Sequence, residues 1–159
     1  FVLATDINPR AVECARANAE RFGLADRMDF LVSDIYDDLK PEQLFDVIFW
    51  NFPFNYPNDD RSLDKMDYCE KSLWDPGYKL LERYLAGARE HLTPGGEVFI
   101  TFSPDTGNAE RFAILTQLHH WEPVLFASKD VPALDNFSAC FNLYRLQDKQ
   151  VLVRQLSGS

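Results

Sequence analysis

The chain is poor in everything that would hold it together covalently or through metal. It has three cysteines, Cys14, Cys69 and Cys140, too scattered and too odd in number for a disulfide framework or a zinc site. They suit a reducing compartment, and we expect a cytoplasmic protein. No apolar run approaches the ~20 residues that cross a bilayer, and no secretory leader is recognisable. Cations are scarce as well: 16 Lys and Arg against 25 Asp and Glu leave a formal charge of −9. The basic stripe of a nucleic-acid surface is absent, which weighs against nucleic acid as the main partner of this segment. The longest charge-rich stretch, Asn58 to Lys71, is mixed and slightly acidic. An opening methionine is missing too, and Phe1-Val2-Leu3-Ala4 reads as the middle of a strand, so we expect a piece of a longer protein.

Histidines are few and badly placed for a metal. His119 and His120 are adjacent and so cannot share a helix face. Like His91, they suit the last turn of a helix, where the dipole favours them. Asp59, Asp60, Asp64 and Asp67 lack the glycine and glutamate positions of a calcium loop. We therefore expect no metal.

What is present is an alternation of strand and helix. Phe1 to Thr5, Met28 to Val32 and Phe45 to Trp50 are short apolar runs that predict strands. Asn8-Pro9 is an N-cap followed by proline in the first turn. Val12, Ala15, Ala19 and Phe22 then mark one face of a helix that Gly23 ends. The stretch from Asn55 to Trp74 has no period and predicts a long functional loop. Asp75-Pro76 repeats the cap-plus-proline start, with Leu81, Leu85, Ala88 and Leu92 along the following helix. Thr93-Pro94-Gly95-Gly96 predicts a turn, Glu97 to Phe102 a strand, and Asn108 to His119 a helix. Two final strands, near Pro123 to Ala127 and Ala139 to Leu146, have no helical pattern between them. The order predicts a Rossmann-like α/β sandwich, its mostly parallel sheet closed by an antiparallel hairpin. Residues 1–146 form the expected domain and 147–159 a tail, where Val151-Leu152-Val153 suggests an edge strand and Ser157-Gly158-Ser159 a loose end.

Three polar residues fall at three successive strand ends, where open α/β sheets bind ligands. Asp6 suits the two hydroxyls of a ribose, or simply a turn and helix cap. Asp34, in Ser33-Asp34-Ile35, suits an adenine amino group with Ile35 against the ring, or again a turn. Asn51 opens Asn51-Phe52-Pro53-Phe54. An asparagine is common before a proline-containing loop, but a Phe-Pro-Phe run is an odd choice for a solvated turn. An amide and a neighbouring carbonyl can together accept both N–H bonds of a planar amino group.

These stretches resemble class I S-adenosylmethionine-dependent methyltransferases. Ala4-Thr5-Asp6-Ile7-Asn8-Pro9-Arg10-Ala11-Val12, running on to Gly23-Leu24, resembles the family's second-strand motif, and Ser33-Asp34-Ile35 the next one. Phe45-Asp46-Val47-Ile48 leading into Asn51-Phe52-Pro53-Phe54 resembles the Asn-Pro-Pro-Tyr/Phe motif of the amino-methylating branch. That branch includes protein glutamine amide, DNA amino and ribosomal RNA guanine-amino methyltransferases. Leu92 to Val98 resembles the turn into the fifth family strand. The resemblance implies S-adenosylmethionine as cofactor, with Asp6, Ile7, Asp34, Ile35 and Asn51 at its site. It implies that Asn51, Phe52, Pro53 and Phe54 hold the acceptor nitrogen. Two features depart from the family pattern. The glycine-rich cofactor loop on the family's first strand, which runs between the strands beginning here near Phe1 and Phe45, has no counterpart. We therefore expect a truncated domain lacking its first strand and helix. Phe52 also replaces a proline, which keeps the carbonyl but exchanges a stiff ring for a more flexible residue.

The implied chemistry is transfer of an activated methyl to an amide or amino nitrogen, with Asn51 and the Phe52 carbonyl orienting its lone pair and no catalytic base required. Phe54 would stack on the acceptor. Tyr56, Tyr68 and Trp74 could wall it, although Tyr68 and Trp74 read more readily as loop residues packed on the core, and Trp50 as core. The acidic charge favours a protein amide or a small molecule as acceptor over an RNA or DNA base. Two other readings stand beside this one: a methyltransferase-like binding or assembly module without catalysis, and a nicotinamide-dependent dehydrogenase. The antiparallel final strand and the Asn51 motif both speak against the dehydrogenase.

Overall fold

The computed structural model describes residues 1–56, 65–132 and 138–150. The chain divides into two compact units, Phe1–Gln43 and Leu44–Ser159.

In the first unit, β1 (Val2–Asp6) pairs in parallel with β2 (Met28–Val32), from Val2 opposite Met28 to Asp6 opposite Val32. The connection is α1 (Pro9–Arg21). Its start is written in the sequence: Asn8 is extended, its side chain accepts the Arg10 N–H at 3.0 Å, and Pro9 needs no partner for its missing N–H. Val12 and Ala19 are buried as the spacing predicts. Phe22 is not, at 69% exposure. The chain has left helical geometry there, and Gly23, at φ +67°, turns it away.

The second unit is a four-stranded mixed sheet in the order β3-β4-β6-β5. Here β3 (Phe45–Trp50) and β4 (Leu92–Phe102) are parallel, and β6 (Ser138–Asp148) runs antiparallel to both β4 and β5 (Trp121–Pro132). The expected closing hairpin is therefore present, with longer strands than the apolar runs suggested. Its outer end is held by Arg89, which is ion-paired to Asp148 at 2.7 Å and lies 4.0 Å over the Trp121 ring. Val151-Leu152-Val153 and Ser157-Gly158-Ser159 lie outside the described residues.

Two boundaries differ from expectation. The Thr93–Gly96 turn sits inside β4, because pairing resumes after it: Phe45 faces Leu92, then Val47 faces Glu97. Gly95 takes φ +86° in the looped-out residues, and Leu92 belongs to the strand rather than to the preceding helix. Asp75-Pro76 does not open a helix directly. One 3-10 turn, Pro76–Tyr78, intervenes before α3 (Lys79–Gly87). Asp75 still caps it across that insertion, accepting the N–H groups of Leu80 at 3.1 Å and Leu81 at 3.0 Å. Upstream, the described part of the expected loop contains a short helix, α2 (Tyr68–Lys71), started by a capping box between Asp67 and Glu70. Asp59, Asp60 and Asp64 lie outside the described residues.

Helices α3 and α4 (Ala109–Leu118) lie on the sheet face that carries Val98, Ile100 and Phe102, all buried. Phe112 of α4 stacks on Phe102 with centroids 4.5 Å apart, and the Tyr84 hydroxyl of α3 donates to the Phe99 carbonyl. His119 is the C-cap of α4, 3.9 Å from Glu82, and His91 closes the 3-10 turn after α3. The helix-end reading of these histidines is thus realised.

A glycine fixes how tightly the α4 entry packs. A Cβ on Gly107 would come 2.5 Å from the Phe102 ring and 2.8 Å from the Ser103 carbonyl. Gly107→Ala is expected to cost about 1–3 kcal/mol by forcing Phe102 off its site. Urea melts that match wild type would refute this account of the packing.

Candidate functional site

In the first unit, the parallel pairing of β1 and β2 brings Asp6 and Asp34 to the same carboxyl edge. Asp6 is exposed, and its Oδ1 accepts the Asn8 N–H at 2.7 Å. The turn reading of Asp6 is thus realised through one oxygen, which leaves the other for a ligand. Ile7, Asp34 and Ile35 are half-buried beside it. Ser33, buried, secures the turn: its N–H donates to the Asp6 carbonyl at 3.0 Å, and its Oγ donates to the Ile35 carbonyl and accepts the Asp38 N–H, each at 3.2 Å. Ile35 has φ +60°, a left-handed conformation that a β-branched residue adopts only under constraint. Strain of that kind at a strand end is common where a side chain must be held for a ligand.

In the second unit, the motif leaves β3 with its residues pointing alternately to opposite sides. Trp50 and Phe52 go to the helix-covered face, and Asn51 to the other. Asn51 is exposed, and its Oδ1 lies 2.5 Å from the Thr101 hydroxyl of β4. It is neither turned inward nor consumed by the scaffold.

Phe52 is the surprise. Sequence alone suggested a flexible substitute for a stiff ring, but it is 1% exposed and the hub of an aromatic cluster. Its ring lies parallel to those of Phe102 and Phe112, at 6.4 and 6.5 Å, and meets Tyr78 edge-on at 5.6 Å. Rigidity comes from packing here, not from a pyrrolidine. Trp50, half-buried, joins the same cluster directly, its ring 5.6 Å from that of Phe52, and also packs against Tyr84 at 4.9 Å. Pro53 is buried, and Phe54 is half-buried with edge contacts to Phe52, Phe102 and Phe141.

Tyr78 ties this loop down. It sits in the left-handed region at φ +54°, which throws a fully buried side chain into the cluster. Its hydroxyl donates to the Phe54 carbonyl at 2.5 Å and accepts the Asn108 N–H at 2.7 Å. One phenol thereby joins the motif to the start of α4. Burial, the largest cause, together with the nearby Asp75 charge, pushes the hydroxyl up to about 12, so it stays protonated and able to donate. Just beyond, Asn55 bridges to both Trp74 and Gly107. Tyr56 is half-buried and edge-on to Tyr78 at 5.1 Å. With residues 106–109 it lines a groove of about 400 Å³. Tyr68 is not packed on the core: it is 49% exposed. Trp74 is half-buried.

Sequence reasoning missed Tyr78 and Thr101. A tyrosine two residues after an Asp-Pro cap gives no sign of a left-handed backbone. Thr101 becomes visible only once register is known: Trp50 pairs with Ile100, so the next pair along is Asn51 and Thr101.

Residues 2–66 match the methyltransferase small domain. The release factor glutamine methyltransferase of Rhodopirellula baltica is 33% identical over 108 residues, 65% of this chain and 36% of that protein. The chain thus spans just over a third of the length of this curated relative. Among solved structures, the ribosomal protein L11 methylase of Lactobacillus delbrueckii subsp. bulgaricus aligns with a TM-score of 0.58 at 14% identity, over 92% of this chain and 57% of that one. A further structure, complexed with SAH, aligns with a TM-score of 0.59 at 13% identity, over 89% of this chain and 38% of that one. The fold is the Rossmann-like one expected.

Tyr78→Phe keeps the ring and removes the hydroxyl, leaving the Phe54 carbonyl and Asn108 N–H without it. A loss of about 1–3 kcal/mol is expected in denaturant melts; an unchanged midpoint would show that the strut carries no weight. Asp75 gives a pH signature. Burial raises its carboxyl to about 6, against 3.8 when unfolded. Between those values the folded chain holds a proton the unfolded chain has released, so stability should fall as pH rises from about 4 to about 6, by up to about 3 kcal/mol. Urea melts across that window should show this slope in wild type and lose it in Asp75→Asn.

Proposed function

We propose, for a chain that belongs to the class I methyltransferases and is related to the release factor glutamine methyltransferases, that it transfers a methyl group to the side-chain amide nitrogen of a protein glutamine. The protein acceptor rests on the description of that relative and on the acidic charge of this chain. Residues 1–146 would form the catalytic domain, with 147–159 as a tail or edge strand.

The observation that carries the proposal is the state of the motif. Asn51 is exposed and its amide is fixed by Thr101, while the next residue, Phe52, is locked in the core. A rigid carbonyl and an oriented amide oxygen are what a planar NH₂ group requires of its partner. Amide nitrogen is a weak nucleophile because its lone pair is delocalised. Accepting both N–H bonds at the Asn51 Oδ1 and the Phe52 carbonyl turns the lone pair toward the donor and stabilises the positive charge that develops. Pro53 and the Phe54 ring would flank the flat group. Positioning does the work, and no side chain of the motif has to remove a proton.

The cofactor is S-adenosylmethionine, which when bound supplies an already activated methyl. The residues fit it: Asp6 retains a carboxylate oxygen for ribose hydroxyls, and the strained Ile35 turn holds Asp34 and an apolar side chain ready for an adenine. Ile7 would complete the contacts. The reducing-compartment cysteines agree with a cytoplasmic enzyme; among the described residues, no helix is long and apolar enough to cross a membrane.

Two substitutions separate the roles. With purified bacterial release factor as acceptor and methyl-labelled cofactor, Asn51→Ala should lower turnover by about a hundredfold or more, with cofactor affinity nearly intact. Asp6→Ala should instead weaken cofactor binding by about tenfold or more in calorimetry. Equal effects of both on one parameter would contradict this division of labour.

A further inference from the structure

We infer that Thr101 is a positioning residue for the transfer, fixing which end of the Asn51 amide faces the acceptor; the inference rests on the function proposed above. An asparagine at a strand end has a soft, nearly two-fold terminal torsion. Turned one way it offers an acceptor oxygen, and turned the other an NH₂ that would repel the acceptor's own NH₂. Something must break that symmetry, and the motif itself contains nothing that does.

Register supplies the partner. Trp50 lies opposite Ile100 in the parallel β3–β4 ladder, so Asn51 and Thr101 follow side by side on one face of the sheet. The Thr101 Oγ1 to Asn51 Oδ1 distance is 2.5 Å. That is within the range of an O–H···O bond and too short for an N–H···O bond, so the hydroxyl meets the oxygen and donates to it. A carbonyl oxygen has two lone-pair directions. Thr101 occupies one, leaving the second for a substrate N–H and keeping both Asn51 amide hydrogens away from that direction.

Thr101 is itself held on both sides. It sits in β4 between β3 and β6, opposite Leu143, and its β-branched side chain has few rotamers. The orientation of the amide is therefore set by the sheet and not by the loop that follows the motif.

The test compares Thr101→Val, which keeps the shape and removes the donor, with Thr101→Ser, which keeps the donor. Turnover of methyl-labelled cofactor on purified release factor should fall about ten- to hundredfold in Thr101→Val. Its melting temperature and cofactor affinity should stay those of wild type, and Thr101→Ser should recover most of the turnover. A second readout does not depend on turnover: the side-chain carbonyl carbon of Asn51 should move upfield in the NMR spectrum of Thr101→Val and return in Thr101→Ser. Wild-type turnover with an unmoved carbon signal in Thr101→Val would overturn the inference, as would a loss that Thr101→Ser fails to rescue. Asn51→Ala in the same assay keeps the two claims apart. If it turns over normally, the function proposed for the motif fails; if it is dead while Thr101→Val is unimpaired, only the role of Thr101 fails.

Discussion

The buried ring of Phe52 is the constraint on which the candidate site depends. It lies one residue from an exposed asparagine and is clamped among Phe102, Phe112 and Tyr78. A strand end is ordinarily where a chain loosens. Here the residue after the exit is anchored in the core, so the backbone on both sides of the asparagine is fixed. Tyr78 completes the arrangement by spending its hydroxyl on the Phe54 carbonyl and the Asn108 N–H. Its left-handed backbone is strain that these two hydrogen bonds and the burial of the ring compensate.

In the proposed transfer that rigidity has a chemical purpose. A methyl already activated on sulfur needs a nucleophile held at the right distance and angle, and an amide nitrogen is too weak to find that geometry alone. Donors and acceptors arranged before the reaction begins cost nothing to reorganise when it occurs. The substitution of phenylalanine for the family's proline is therefore less of a loss than it looks. Proline stiffens a loop from within, whereas a phenylalanine with its ring in the core stiffens it from outside. The carbonyl that matters is part of the backbone in either case.

Much of this was legible in the residues. The strands at the start of the chain, the Asn8-Pro9 cap and the antiparallel final hairpin all follow from local chemistry that tertiary contacts did not override. The strand-end placement of Asp6, Asp34 and Asn51 followed from the same reading, because a polar residue closing an apolar run is a local signal. What escaped was non-local. The Thr93–Gly96 stretch is a good turn by composition, but β4 resumes pairing beyond it, which depends on β3. Asp75 looked like an ordinary cap, and only the left-handed Gly77 and Tyr78 displace the helix that it caps. The flexibility assigned to Phe52 was wrong for the same reason: a side chain's freedom is decided by its neighbours, and those come from the Pro76–Tyr78 turn, α4 and β4.

The central claim is that the Asn51 side-chain oxygen and the Phe52 carbonyl act as one rigid pair that grips an amide NH₂. The most direct measurement is a crystal structure of the protein with SAH and a glutamine-containing release-factor peptide. The glutamine nitrogen is expected about 3 Å from both oxygens, with the Phe52 ring still seated against Phe102 and Phe112. A glutamine bound elsewhere, or an Asn51 amide turned to present its own NH₂, would contradict that claim.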